Sequence, residues 1–224
     1  MRRKSSTLLI LFLIESSLLF GQAFKAGLIG GISTSQVDGD TYAGYNKIGL
    51  LGGVFVSKTF SSKNKWSASM ELTYIQKGSR KIPHPIKLDF TEYYLKLNYV
   101  EVPLVVKYLL GEDRRINNGD SLLGDKRKIE LEGGIAIGTL VRSEERDAFG
   151  LLPQGTSFQK MDYSIVFGIN YSIIKNVFIN IRTEYSILPV RKGAIGLYYQ
   201  NWTYKILRPG YYNNLVIFSL RYMF

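Results

Sequence analysis

Alternation of apolar and polar residues organises this chain. The clearest case runs from 177 to 187. Val177, Ile179, Ile181, Thr183, Tyr185 and Ile187 fall on one face, with Phe178, Asn180, Arg182, Glu184 and Ser186 on the other. A helix would mix these two sets and a strand separates them. The run before it repeats the pattern: Tyr163, Ile165, Phe167, Ile169, Tyr171 and Ile173 oppose Asp162, Ser164, Gly168, Asn170 and Ser172. Only residues 174–176 lie between, which predicts a tight hairpin. Val216, Phe218, Leu220, Tyr222 and Phe224 share a face at the C-terminus. Trp66, Ala68, Met70, Leu72 and Tyr74 do so earlier, as do Ile129, Leu131, Ile135, Ile137 and Val141. The glycine-rich stretches 24–35 and 47–60 alternate more weakly. The longest stretch, 91–110, changes phase: Tyr93, Leu95, Leu97 and Tyr99 share one face, then Val100, Val102, Leu104 and Val106 take over. One inserted residue near 100–103 accounts for this and for a proline, Pro103, inside a strand.

These segments predict an all-β chain of about eight strands, whose connections alternate short and long. Residues 61–64 and 174–176 are short; 36–45, 80–90, 144–160 and 190–211 are long. Short turns at one end and long loops at the other belong to bacterial outer-membrane barrels. The connection 111–127 departs from that scheme, being long and charged at the short-turn end. Ahead of the strands, Arg2, Arg3 and Lys4 precede an apolar run and the small residues Gly21 and Ala23. This is the pattern of a secretory signal, with cleavage expected after residue 21 or after 23. Glu15, Ser16 and Ser17 interrupt the run and argue against a membrane anchor. The expected organisation is therefore a signal peptide at 1–21 and one barrel domain at 22–224.

Alternation alone does not distinguish a membrane barrel from a soluble one. Three features favour lipid. Aromatic residues sit at the ends of the apolar face, in Trp66 and Tyr74, Tyr163 and Tyr171, and Tyr222 and Phe224. The strands are long enough to cross a bilayer when tilted. The polar face carries Glu71, Lys96, Glu101, Lys107, Glu130, Glu132, Arg182, Glu184 and Arg221, with signs balanced enough to pair within a lumen. The expected fold is a single closed antiparallel up-and-down transmembrane β-barrel. Glu71, Glu130, Glu132, Arg182, Glu184 and Arg221 are its expected structural charge network.

Several stretches carry a resemblance to a known family: GLIGGISTSQVDGD at 27–40, YNKIGLLGGVFV at 45–56, ELTYIQKG at 71–78, LNYVEVPLVVKY at 97–108 and the closing LRYMF at 220–224. Together they resemble the PorT-like outer-membrane β-barrel family of Gram-negative bacteria. The resemblance implies a cell-envelope location in the bacterial outer membrane and, for some members, a link to a protein-secretion apparatus. It departs around 113–128 and 190–211.

The chain has no cysteine, so it carries neither a disulfide framework nor a thiolate metal site. Its one histidine, His84, stands between Pro83 and Pro85 without a partner pattern for catalysis or metal binding. No catalytic, metal or cofactor-binding set is expected, and no cofactor. The formal charge is +11; removing residues 1–21 leaves 26 basic against 17 acidic groups. Outer-membrane lipid and lipopolysaccharide, with envelope or secretion-machinery proteins, are the expected partners, and nucleic acid is not. In the last long loop, Tyr198, Tyr199, Trp202, Tyr204 and Arg208 are of the types that anchor interfaces. The expected role is non-enzymatic: structural, adhesive or a secretion or assembly component acting through the outer loops. The alternatives are a lipid-modifying enzyme active at the rim, a narrow channel, and a soluble lipocalin-like carrier.

Overall fold

The computed structural model describes residues 24–40, 42, 44–60, 65–110, 129–152, 157–174, 176–192 and 210–224. Eight long strands form the wall: β1 (Phe24–Asp38), β2 (Lys47–Thr59), β3 (Trp66–Lys81), β4 (Tyr93–Leu110), β5 (Ile129–Asp147), then β7 (Met161–Ile174), β8 (Val177–Ser186) and β10 (Gly210–Met223). Two short ones lie at the loop end: β6 (Gly150–Leu151) pairs with β5, and β9 (Arg191–Lys192) with β10. Every pairing is antiparallel, each wall strand lies beside its chain neighbour, and β1 pairs with both β2 and β10. The sheet is therefore closed and has no edge, a requirement for a sheet whose surroundings cannot hydrogen-bond to it.

The start of β1, the end of β10 and the β7–β8 turn share one end of the barrel. At the β7–β8 turn Asn176 takes a positive φ of 69°, a conformation asparagine tolerates better than most residues, and its carbonyl accepts from the Met223 amide at 2.8 Å. The other end carries longer connections, including a 3₁₀ turn at Pro85–Lys87.

Side chains separate as strand geometry requires. Leu28, Ile32, Leu72, Val102, Leu104, Ile135, Ile165, Ile181 and Phe218 lie exposed on the outside. So broad an exposed apolar belt has no place in water and needs lipid around it. Aromatic rings edge the belt: Trp66 and Tyr108 in contact at 4.7 Å between centroids, with Tyr171 and Tyr222 at the same terminal end on other strands. Tyr74 and Tyr163 lie toward the loop end.

The structure corrects one expectation about β4. Its facing does not change phase. Tyr93, Leu95, Leu97, Tyr99, Glu101, Pro103, Val105 and Lys107 all point inward, and Val100, Val102, Leu104 and Val106 point outward. What switches at Tyr99–Val100 is the environment. Below that level the wall meets lipid, so apolar residues face out. Above it the barrel continues past the belt, and Tyr93, Leu95, Leu97 and Tyr99 join Val37, Ile75, Leu215 and Ile217 in a buried apolar cluster within the crown. The bulge lies instead in β5, where pairing steps from Asn98–Arg142 to Tyr99–Leu140 and leaves Val141 extra. Pro103 causes no slip. The ladder to β3 lapses between Met70–Leu104 and Thr73–Glu101 with register kept, where the proline has no N–H to donate. Lys96 is corrected with the phase: it stands on the outer wall above the belt, not in the lumen.

Strands β1, β3, β5 and β10 run two to four residues into the loops that alternation predicts. The same inversion explains this. Above the belt, the pattern of apolar-out residues that marks a membrane strand ceases, while the strand continues.

Candidate functional site

The lumen is filled by two buried ionic clusters. In the one nearer the terminal end, β3 supplies Glu71, β5 Glu132, β8 Arg182 and β10 Arg221. Arg182 donates through both terminal nitrogens to Glu71 at 3.0 and 3.1 Å, and through Nε to Glu132 at 2.7 Å. Arg221 donates to the same Glu71 at 2.8 Å. The remaining lone pairs of Glu132 accept from the Asn170 and Asn180 amides, both at 2.8 Å. Ser219 donates to Asn180 at 3.3 Å. Phe55 lies below, with Arg221 and Lys107 within 5.7 and 5.6 Å of its ring centre. Glu71, Glu132, Arg182 and Arg221 each have opposite-charge partners, and Glu132 amide partners as well, the condition under which burial of ions is tolerated.

Above it, Lys77 of β3 stands at the meeting point of three carboxylates. Its ammonium lies 2.6 Å from Glu101, 3.1 Å from Asp162 and 2.5 Å from Glu184. Asp162 also accepts from Ser186 at 2.7 Å and Asn213 at 2.8 Å, and the Tyr99 ring lies 5.2 Å from the ammonium. All four charged groups are buried. The three acids bring oxygens within 4.8 Å of one another, a spacing that suits a cation, and the Lys77 ammonium takes that central place itself.

Glycines make the clusters fit. A Cβ on Gly138 would lie 2.8 Å from the Glu101 carboxylate, and one on Gly168 2.7 Å from that of Glu132. Both face inward, so each leaves room for an acid crossing the lumen.

The apolar cluster of the crown covers the upper ionic cluster, and a polar latch closes over it. Arg191 of β9 holds Glu145 of β5 at 3.2 and 2.7 Å, and Tyr93 donates to Glu145 at 2.6 Å. The guanidinium lies 4.0 Å from the Phe158 ring centre and 5.5 Å from that of Tyr211, and Tyr42 packs on Tyr93 at 4.7 Å. At the terminal end, a hollow of about 80 Å³ is bordered by Lys25, Lys107, Glu130 and Phe178, room for a few waters only. An eight-stranded barrel is just wide enough for its own side chains.

The structure brings Glu71, Glu132, Arg182 and Arg221 into one cluster, and sets Glu184 in the other with Lys77. Glu130 faces inward but stays half-buried at the hollow. Lys77 and Asp162 stand outside the network expected from the sequence. Their parity marks them: Lys77 shares the inward face of Glu71, and Asp162 that of Ser164 and Asn170. His84 is exposed, its backbone paired with Asp89 at 2.7 and 3.2 Å, and among the described residues its imidazole has no hydrogen-bond partner. Tyr198, Tyr199, Trp202, Tyr204 and Arg208, with 1–21 and 111–127, lie outside the described residues.

Three solved structures illustrate what the fold resembles. The chain is similar to Ail, the attachment invasion locus protein of Yersinia pestis, in complex with the heparin analogue sucrose octasulfate (14% identity over 90% of this chain and 99% of that one, TM-score 0.45). It is similar to the outer membrane enzyme PagL (10%, 89% and 99%, TM-score 0.43) and to Neisserial surface protein A (11%, 90% and 97%, TM-score 0.43). At such identities no activity carries across. No curated protein matches the chain. The family described as outer membrane protein beta-barrel domain matches residues 20–191. With most of its length matched and its wall closed within an apolar belt, the chain belongs to that family, a small barrel of the outer membrane.

Proposed function

We propose that this protein is a non-conducting, non-enzymatic scaffold of the outer membrane, which acts by presenting its external loops to other envelope proteins in the manner of PorT-like barrels. The observation that carries this reading is the stacked filling of the lumen: among the described residues, two ionic clusters, an apolar plug and the Arg191–Glu145 latch occupy the path a solute would take. Removal of residues 1–21 during export belongs to the same reading, with a mature chain beginning at Gln22, or at Phe24 if cleavage follows Ala23.

The test has two arms. The full chain reconstituted in planar bilayers is expected to give no conductance steps; steady single-channel current would overturn the scaffold reading. Chemical crosslinking in the native outer membrane is expected to trap a defined envelope protein. Replacing Tyr198, Tyr199, Trp202, Tyr204 and Arg208 together by Ser should release it. Retention of the same partner by that variant would remove the last loop from the proposal.

A further inference from the structure

Above the apolar belt, the outer wall carries cations on one side only. At that level the outward positions of β1, β2, β7, β8 and β10 carry no lysine or arginine among the described residues; Gln36, Asp38 and Asn214 stand there. On β3, β4 and β5 the corresponding wall carries Arg80, Lys96, Arg142 and Arg146. Register makes them neighbours: Arg80 pairs with Tyr94, Tyr94 with Arg146, and Asn98 with Arg142. Lys96 sits between Gly78, which offers no side chain, and Glu144. Glu144 contacts both Arg142, at 3.3 Å, and Arg146. Arg80 and Lys96 have no salt-bridge partner among the described residues, so the face keeps an excess of positive charge. Arg142 and Arg146 remain well exposed, with 70% and 55% of their side-chain surface open.

The heights of these cations are informative. Val100 is the last apolar outward residue of β4. Arg142 lies two residues above it, Lys96 four, and Arg80 and Arg146 six. At about 3.3 Å per residue and a tilt of about 45°, these are heights of about 5, 9 and 14 Å above the belt. Ordinary phospholipids present one plane of phosphate just above the hydrocarbon. This column of cations extends further, and beside its upper part lies a concavity of about 470 Å³ lined by Arg80, Tyr94, Arg146, Ala148 and Gly150, with the acids Glu92 and Asp147 at its border. A hollow of that size suits a phosphorylated sugar, and guanidinium forks match phosphate oxygens in pairs.

We infer that the β3–β5 face is a binding surface for lipopolysaccharide, with the cations holding the phosphates of its glucosamine head group in the outer leaflet. This goes beyond the scaffold role proposed above. It depends only on the outer-membrane location, so conductance or loss of a protein partner would leave it standing.

Native mass spectrometry of the folded full chain in detergent micelles tests it, using bisphosphorylated lipid A, its dephosphorylated form and phosphatidylglycerol as probes. Wild type is expected to retain one bisphosphorylated lipid A. R142Q/R146Q and R80Q/K96Q should each bind about tenfold more weakly, as loss of charge-assisted bonds implies. K58Q, which removes an outward cation at the opposite end of the wall beside Phe24, should bind like wild type. Undiminished binding by a folded double variant would overturn the inference. So would equal retention by wild type of the dephosphorylated lipid or of phosphatidylglycerol. Folding of each variant is checked by heat-modifiable migration; if one double variant fails it, the other variant and the probe comparison on wild type decide.

Discussion

Arg182 and Glu71 meet across the barrel, β8 to β3, through paired hydrogen bonds of 3.0 and 3.1 Å, and the same arginine reaches Glu132 at 2.7 Å. One side chain thus ties three strands together. Replacing it by Met leaves two buried carboxylates short of their shared cation, a loss of about 3–5 kcal/mol. R182M should lower the urea midpoint of the folded barrel accordingly. R182K keeps the charge without the fork and should recover only part of the loss. A midpoint for R182M equal to wild type would show that the cluster holds nothing together.

The Lys77 cluster predicts an asymmetry between its members. Three carboxylates converge on one ammonium, at 2.6, 3.1 and 2.5 Å. Removing the cation in K77M exposes all three acids to one another in a low dielectric, and should destabilise by several kcal/mol. E101Q removes one of the repelling charges, keeps a polar partner for Lys77, and should cost far less. The two urea midpoints decide the matter; an E101Q loss as large as that of K77M would contradict this account.

Much of the barrel can be read from period-two alternation, and the reason is physical: within lipid, the outward positions must be apolar, so the membrane prints its own thickness on each strand. The reading fails where that constraint ends. Tyr93, Leu95, Leu97 and Tyr99 are apolar because they fill the crown, and Val100, Val102, Leu104 and Val106 because they meet lipid, so one uninterrupted strand looks like two strands out of phase. Arg142, Glu144 and Arg146 continue β5 with no apolar face on either side, and so resemble a loop. Among the charges, Arg182, Glu71, Glu132 and Arg221 stand on clean alternating faces, whereas Lys77 precedes Gly78, whose φ of 138° ends the simple pattern. Who pairs with whom across the lumen depends on strand stagger, which no single strand's pattern contains.

That account of β4 is testable by position. Val106 lies near mid-belt, six residues below Val100, so V106R should cost about 2–4 kcal/mol, the cost of an arginine facing mid-bilayer lipid. Leu97 is fully buried in the crown, and L97A should cost about 2–5 kcal/mol through the cavity it leaves. V141R, at the bulge residue beside Arg142 and 63% exposed above the belt, should lose little. Urea midpoints in lipid vesicles separate the three. A severe loss for V141R with none for V106R would place the membrane boundary elsewhere.

The lumen glycines yield a paired prediction. Gly168→Ala puts a methyl 2.7 Å from the Glu132 carboxylate and 2.8 Å from the Ile181 carbonyl, so either the acid or the wall must shift. Overpacking of this kind costs about 1–3 kcal/mol. Gly30→Ala on the outer face meets nothing within 4 Å and should leave stability unchanged or slightly raised, since alanine restricts the unfolded chain. Equal midpoints for the two variants would mean the lumen has slack that the structure does not show.

Acidity tests the β1–β2 loop. Asp40 is buried there, its Oδ1 accepting from the Tyr42 amide at 2.9 Å. Burial, opposed by the Ser79 hydroxyl and that amide, lifts its carboxyl from 3.8 to about 6. A folded-state value above the unfolded one means that the native protein binds the extra proton between those limits. Stability from this group is therefore fully present below about pH 4, falls as pH rises, and is lost above about pH 6. About two units correspond to at most about 3 kcal/mol. D40N removes this titration while keeping an acceptor for Tyr42, so its stability should decline less than that of wild type over this range. Asp89, held by Lys81 at 2.7 Å and kept at about 2 chiefly by that bond, acts in the opposite sense, and only as pH falls below about 4. Urea midpoints compared between pH 4 and 7 therefore isolate Asp40. Parallel curves for wild type and D40N across that window would refute the assignment.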